Sequence, residues 1–457
     1  MFIFTIDNYT KMCCGRLKIN FIFRKESLME RKCIFNLIIE QLSLFLSSPT
    51  LLLAHRYPNH FVRKGGMLTI RHVVLYLLNC SRQAMHTNII LALYRKSVEF
   101  PNVTKQAVSK ARQGIMPSLF RSLFDQAVKV FYDNIGSRKA LWLNRYPVFA
   151  VDGSKLQLPG SSSVVEKYGS CFSKKNPERT WSLALASTIY DVCNDCIAHA
   201  VIKPYLASER AAAKEHFQEL ESLGILQGSV IVFDRGYYSE DMFRFFSAEG
   251  HMCVMRLKEG INLSKECSGD TISTLPGDPK KGTEDIKVRV ISIDLGNGIT
   301  EYLATNIFDN DLTADNFKDL YFQRWKIEGK YYELKTTFRL EAFNGSTCTS
   351  IEQEFFIAML FSNLAALVKA EADIKIKETA KPTNKHKYQA NRAHIIGHLK
   401  FILAWLLTSA QEMMEFYTDT LFESASKNKS QIQPNRHDPR NVKRGERKYR
   451  ENRKTAV

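Results

Sequence analysis

At 457 residues, with 45% hydrophobic and 24% charged residues, the chain has the composition of a soluble globular protein with two or three domains and a large core. Its 64 Lys and Arg against 47 Asp and Glu leave a formal charge of +17, which calls for a polyanion or an anionic membrane surface as partner. Phe355–Val368 and Phe401–Leu407 read as too short or too interrupted to span a bilayer, and ten scattered cysteines without a signal peptide read as reduced thiols of a cytoplasmic protein, so membrane and disulfide-framed secreted classes are set aside.

Residues 1–30 show no clear pattern and are set apart as a leader, with Met29 an alternative start. From about Arg31 to Asp133 apolar residues recur at three- and four-residue steps, as in Ile34–Leu46 and Val73–Leu93, which predicts helices. Thr104 is a candidate N-cap for a short helix whose Lys105, Gln106, Ser109, Lys110, Arg112 and Gln113 could face DNA. An ordinary solvated helix face explains the same residues.

The pattern then changes. Tyr146–Val151 reads as a buried strand ending in Asp152 and a turn, and Trp181–Tyr190 and Cys196–Tyr205 as two strands joined at Asn194 and Asp195. A helix from Ser208 to about Leu223, a strand from Gly228 ending at Asp234, an amphipathic helix over Ser239–Ala248 and a strand over His251–Leu257 follow. Strands in a meander, then alternating with helices, predict a mixed α/β sheet. Lys258–Asp285 has loop composition, and Lys287–Leu295 and Ile299–Ile307 flank a Gly296-Asn297-Gly298 hairpin. A long helix is expected from Ala314 to about Leu340, then apolar helices over Ile351–Glu371 and Ala393–Met414 around a basic linker at Lys381–Arg392. From Lys427 onward eleven Lys or Arg face three acids, the pattern of a disordered polyanion-binding tail or of a solubilising end. Cys193, Cys196 and His199 look like half a zinc site, but no second pair has the right spacing. No Gly-rich phosphate loop is present, so ATP use is not expected.

The chemistry-bearing segment runs from Tyr321 to Lys335. On a helix turning 100° per residue, Tyr321, Arg324, Glu328 and Lys335 fall within an arc of roughly 60°. Leu320, Ile327, Leu334 and Phe338 form an apolar stripe beside it. An acid between two cations and a phenol can hold a divalent metal with phosphate oxygens nearby, although a salt-bridged surface face accounts equally for this helix taken alone. Asp152 and Asp234 each follow an apolar strand. If those strands are neighbours, both carboxylates emerge at one sheet edge; a cap or turn role is the ordinary alternative for each. Three carboxylates at one point repel unless cations join them. Oxygen ligands suit Mg²⁺ or Mn²⁺, and two such ions about 3.5–4 Å apart can activate a water or a 3′-hydroxyl and stabilise a leaving oxygen.

The Tyr-x2-Arg-x3-Glu-x6-Lys pattern, matched at all four positions, resembles the signature of the insertion-sequence IS-four family of DDE transposases, Tn-five-like. The Asp152-Gly-Ser and Asp234-Arg-Gly-Tyr contexts look like that family's first two acids, and the hairpin-rich stretch before Glu328 stands where the family carries a β-domain, here short. The resemblance covers roughly Asn102 to Leu367. It implies a ribonuclease H-like catalytic domain over 141–345 with a β-rich insertion at 258–310. A helical DNA-binding domain (31–140), a C-terminal helical region (346–424) and a basic tail (425–457) would flank it. It further implies Asp152, Asp234 and Glu328 as ligands of two Mg²⁺ or Mn²⁺ ions, and Tyr321, Arg324 and Lys335 as phosphate contacts. Trp325 is expected to pack on the sheet rather than stack on a base. Lys105, Lys110 and Arg112 would lie on the DNA-reading helix. The partners implied are double-stranded DNA, as terminal inverted repeats and target, and a second copy of the chain, paired through the C-terminal helices. The expected reaction is metal-dependent cleavage at the element ends and strand transfer, by cut-and-paste, in the bacterial cytoplasm at the nucleoid. A ribonuclease H-like nuclease without strand transfer and a DNA-binding protein that has lost catalysis are the alternatives.

Overall fold

The computed structural model describes residues 30–58, 68–79, 103–172, 180–296 and 298–432. The leader, most of the Val73–Leu93 helix and the tail beyond Ile432 therefore lie outside the described residues. The N-terminal helices are α1 (Arg31–Ser47), α2 (Pro49–Ala54), α3 (Ile70–Leu78), α4 (Lys105–Gln113) and α5 (Pro117–Asn134). Their starts follow local chemistry: Ser48 caps α2 ahead of Pro49, and Thr104 Oγ1 accepts from Ala107 N at 3.2 Å, as expected.

The α/β region begins with β1 (Val148–Leu158), α6 (Ser162–Tyr168), β2 (Ser170–Phe172), β3 (Thr180–Asp191) and β4 (Cys196–Pro204). α7 (Glu209–Ser222), β5 (Val230–Phe233), α8 (Glu240–Ala248) and β6 (Met252–Arg256) follow, with Ser208 and Ser239 capping the two helices. α9 (Asn262–Lys265), β7 (Asp270–Leu275), β8 (Ile286–Asp294) and β9 (Thr300–Thr305) lead to α10 (Ala314–Gln323) and α11 (Trp325–Thr336). The chain continues through α12 (Cys348–Glu378), β10 (Tyr388–Ala390), α13 (Arg392–Leu406), α14 (Gln411–Lys427) and β11 (Lys429–Gln431).

Among the described residues one nine-stranded sheet dominates, in the order β2-β3-β1-β5-β6-β9-β8-β7, with β4 also on β3. β1, β5 and β6 run parallel, and the β1–β3–β4 and β6–β9–β8–β7 pairings are antiparallel. The mixed α/β sheet expected from the meander-then-alternation pattern is thus present. Phe149, Phe233, Phe243, Phe246 and Phe317 are fully buried around it, each contributing roughly 1.5–3 kcal/mol of transfer free energy.

Several expectations need correction. β1 does not stop at Asp152 but continues to Leu158, because Gly153 to Leu158 pair with Ser187 to Ser182 of β3 after β5 has ended. The Lys258–Asp285 stretch is not all loop: it holds α9 and β7, and β7–β9 extend the main sheet. The long helix expected from Ala314 is two helices. They join at Arg324, where three-residue bonds (Arg324 N to Tyr321 O 3.1 Å, Ile327 N to Arg324 O 3.0 Å) replace the α-helical ones. The Ala393–Met414 helix likewise divides into α13 and the start of α14. α12 is longer than expected and is, among the described residues, one helix long and apolar enough to cross a membrane; 78% of its most apolar window is buried inside the protein, as in a core helix. It packs against α1, α5, α13, α14 and β4.

Candidate active site

The acids are brought together by register. Val148 to Val151 of β1 pair in parallel with Val230 to Phe233 of β5, so Asp152 and Asp234 are the next residues on strands about 4.8 Å apart. Asp234 opens the turn after β5, closed by Tyr237 N to Asp234 O at 3.0 Å.

Glu328 comes from α11. Ile327 and Leu334 bury one side of that helix, together with Leu320 and Phe338 of the expected apolar stripe. Tyr331 then pins the helix. Its hydroxyl lies 3.0 Å from the main-chain oxygens of both Asp152 and Ala186 and accepts from Thr188 Oγ1 at 3.2 Å. This anchor is three residues from Glu328, hence on the same side of the helix. Glu328 Oε1 accepts from Arg324 Nη2 at 3.0 Å. The Arg324 guanidinium, 3% exposed, lies 5.4 Å from the ring centroids of both Tyr321 and Trp325.

The electrostatics agree with this proximity. Burial pushes the Asp152 carboxyl up to about 7. The Gly153 N–H, at 2.8 Å from Oδ1, and Arg324 oppose that shift, and the negative charges of Asp234 and Glu328 add to it. Burial likewise pushes Tyr321 up to about 12, and its hydroxyl has no hydrogen-bond partner among the described residues.

Other expected residues are placed differently. Tyr321 and Arg324 are buried, the latter against Glu328, so in this arrangement neither offers a surface to a phosphate. Lys335 Nζ donates to Lys155 O at 2.7 Å and stands 3.8 Å from Glu341 Oε1. Trp325 is 45% exposed, not packed on the sheet, because α11 turns its Ile327–Leu334 side inward instead. On α4, Lys105 and Lys110 are exposed. Arg112 is the clear correction: 6% exposed, it bonds Gln353 Oε1, Ser350 O and Glu354 Oε1, each at 2.9 Å, and so fastens α4 to α12 instead of facing DNA.

The Cys193–His199 half-site is a turn, as its residues suggested. Asp195, at positive φ, takes the Tyr190 hydroxyl at 2.7 Å and Lys330 Nζ at 2.6 Å, and pairs with Arg392; these cations hold it well below the usual carboxylate range against the effect of burial.

Asp152 and Asp234 supply oxygen donors only, the chemistry that fits Mg²⁺ or Mn²⁺. Glu328 is turned to Arg324, and among the described residues no three His, Cys, Asp or Glu gather closely enough to hold a metal ion. Sequence reasoning missed Tyr331, although it lies inside the motif at a helical step from Glu328.

The chain that sets these two aspartates side by side on a mixed sheet is similar to known proteins over part of its length. Residues 143–364 match the family described as the transposase DDE domain, a span that contains all three acids. A probable transposase for insertion sequence element IS5377 from Geobacillus stearothermophilus is 24% identical over 141 residues, 29% of this chain. The match spans only 37% of that relative's own length. A piggyBac transposase synaptic complex with hairpin DNA aligns at 9% identity with a TM-score of 0.44, over 86% of this chain and 85% of that one.

Proposed function

We propose that this chain is a DDE transposase of an IS-four-like insertion sequence, cutting DNA at the element ends and joining them to target DNA by cut-and-paste. The observation that carries the reading is the parallel β1–β5 register, which sets Asp152 beside Asp234 while Tyr331 pins the helix bearing Glu328 across them. The match of residues 143–364 to a transposase DDE domain supports it independently. A meander of β1, β3 and β4 continued by parallel β5 and β6 also suits a ribonuclease H-like domain.

In this reading Asp152 and Asp234 hold Mg²⁺ or Mn²⁺, and Glu328 joins them on leaving Arg324. Two such ions supply activation of the attacking oxygen and stabilisation of the leaving one. Water attacks the phosphodiester at the element end and frees a 3′-hydroxyl. That hydroxyl attacks a target phosphodiester, one P–O bond forming as another breaks, so no covalent protein–DNA link is needed. Arg324, buried among the acids, balances their charge. Exposed Lys105 and Lys110, with Lys335 beside β1, meet DNA phosphates. The chain acts as a homodimer through its C-terminal helices, in the bacterial cytoplasm, on terminal inverted repeats and target duplex.

The test uses the full chain and DNA carrying the inverted repeats that flank its gene. Asp234→Ala abolishes Mg²⁺- or Mn²⁺-dependent cleavage and leaves binding to that DNA nearly unchanged. A variant that still cuts removes the site assignment, and cleavage without joining by the unaltered protein would make it a nuclease.

A further inference from the structure

Two groups beside the acids have no part in the scheme above. The first turn of α7 reaches both strand ends at once. Arg210 donates to the main-chain oxygens of Gly236 at 3.1 Å and Tyr238 at 2.8 Å, which clamps the turn after Asp234. Its neighbour Glu209 lies against the residue that follows Asp152. A Cβ on Gly153 would meet Glu209 Cδ at 3.0 Å and Oε1 at 3.1 Å, so a glycine there is what admits the carboxylate.

Between these two contacts stands Tyr237. It is 1% exposed, its ring packs on Phe233 at 5.5 Å, and its hydroxyl has no hydrogen-bond partner among the described residues. The ionisable groups bearing on that hydroxyl are Asp152, Glu209, Tyr331 and Asp234. A buried hydroxyl without a partner is costly and calls for a group that satisfies it. Here the charges that bear on it include those of both aspartates.

Resting on the reading of Asp152 and Asp234 as cation ligands, we infer that Glu209 and Tyr237 are positioning residues of the same site. The Glu209 carboxylate and the Tyr237 hydroxyl hydrogen-bond the water carried by a divalent cation on the Asp152–Asp234 pair. They orient that water without ligating the cation. Gly153 is the residue that leaves room for this arrangement.

The test is Mn²⁺ binding to the full chain without DNA, by calorimetry, for the unaltered protein, Asp152→Asn, Glu209→Gln and Tyr237→Phe, each also melted in EDTA. Asp152→Asn loses Mn²⁺ binding. Glu209→Gln and Tyr237→Phe each weaken it by about tenfold, the usual scale for groups behind metal ligands. Tyr237→Phe removes a single unpaired oxygen, so without cation it melts at or above the unaltered protein while binding Mn²⁺ less tightly. A purely structural role would move both readouts downward together, and that result overturns the inference. Unchanged Mn²⁺ affinity in Glu209→Gln and Tyr237→Phe, with binding lost in Asp152→Asn, overturns it too and leaves the transposase reading intact. An unaltered protein that binds no Mn²⁺ overturns both.

Discussion

Asp152 carries the most consequential titration in the site. An aspartate in an unfolded chain titrates near 3.9, whereas burial here raises the folded value to about 7. Between those values the folded chain holds a proton that the unfolded chain has released. The stability this proton provides is therefore complete below the unfolded value and is lost as pH rises through the folded one. If Asp152 holds a divalent cation as proposed, that cation displaces the same proton, so Mn²⁺ binds more tightly at about pH 8 than at about pH 6 and expels protons at the lower pH. Calorimetry at the lower pH, in two buffers of different ionisation enthalpy, measures that release. Equal heats in the two buffers would mean that the carboxyl is already charged. The neighbouring Arg324 shows how one residue can change role with context: its place in the motif suggested phosphate binding, and its burial against Glu328 makes it a counter-charge to the acids.

At the scale of elements, α4 illustrates a helix with two fates on its two sides. Lys105 and Lys110 face solvent, while Arg112 and Gln113 dock onto the start of α12. Arg112→Met breaks the buried Arg112–Glu354 pair and costs about 3–5 kcal/mol in chemical denaturation, the range for removing one partner of such a pair. It leaves the salt dependence of DNA binding unaltered. Lys105→Ala and Lys110→Ala do the reverse, each reducing the slope of log affinity against log salt by about 0.9 and stability hardly at all. A changed slope in Arg112→Met, or an unchanged one in both lysine variants, would contradict this division. The α10–α11 junction makes a similar point, since tightened bonds at Arg324 turn an expected single helix into two while keeping the apolar stripe inward.

Across the whole molecule, a hydrogen-bonded chain links the N-terminal helices to the strand of the first acid. Arg121 of α5 lies 3.1 Å from His199 Nε2, the two histidines meet through their Nδ1 atoms at 2.8 Å, and His216 Nε2 lies 2.9 Å from Ser187 Oγ. Ser187 sits on β3 opposite Gly153. If Arg121 donates to His199, each ring accepts on one nitrogen and donates from the other, which only the neutral form can do. Burial first, and nearby positive charge second, lower His199 to about 3 and His216 well below its usual value. Depressed histidines give stability that is present above the unfolded value near 6.5 and lost as pH falls below it. Asp152 acts with the opposite sign. The double variant His199→Gln, His216→Gln therefore loses less stability than the unaltered protein between about pH 7 and about pH 5, measured as the difference in denaturation midpoints. Identical pH dependence in the two proteins would show that the pair does not govern this response.

What could be read without coordinates was whatever depends on near neighbours in the chain. Short apolar runs marked most of the sheet strands, three- and four-residue periodicity marked the helices, Thr104 announced its cap, the ends of apolar runs pointed to Asp152 and Asp234, and motif spacing singled out Glu328. The tertiary fold alone decided which polar residues leave water. Arg112 finds its carboxylate 242 residues away, Asp152 stands mid-strand because β3 outlasts β5, and Glu209 comes against Gly153 from a helix whose local pattern treats it as an ordinary first-turn acid. Trp325 stays exposed for the complementary reason, since α11 has one side to bury and Ile327 and Leu334 occupy it. Periodicity is a property of a segment; burial of a charge is a property of the partners that other segments bring to it.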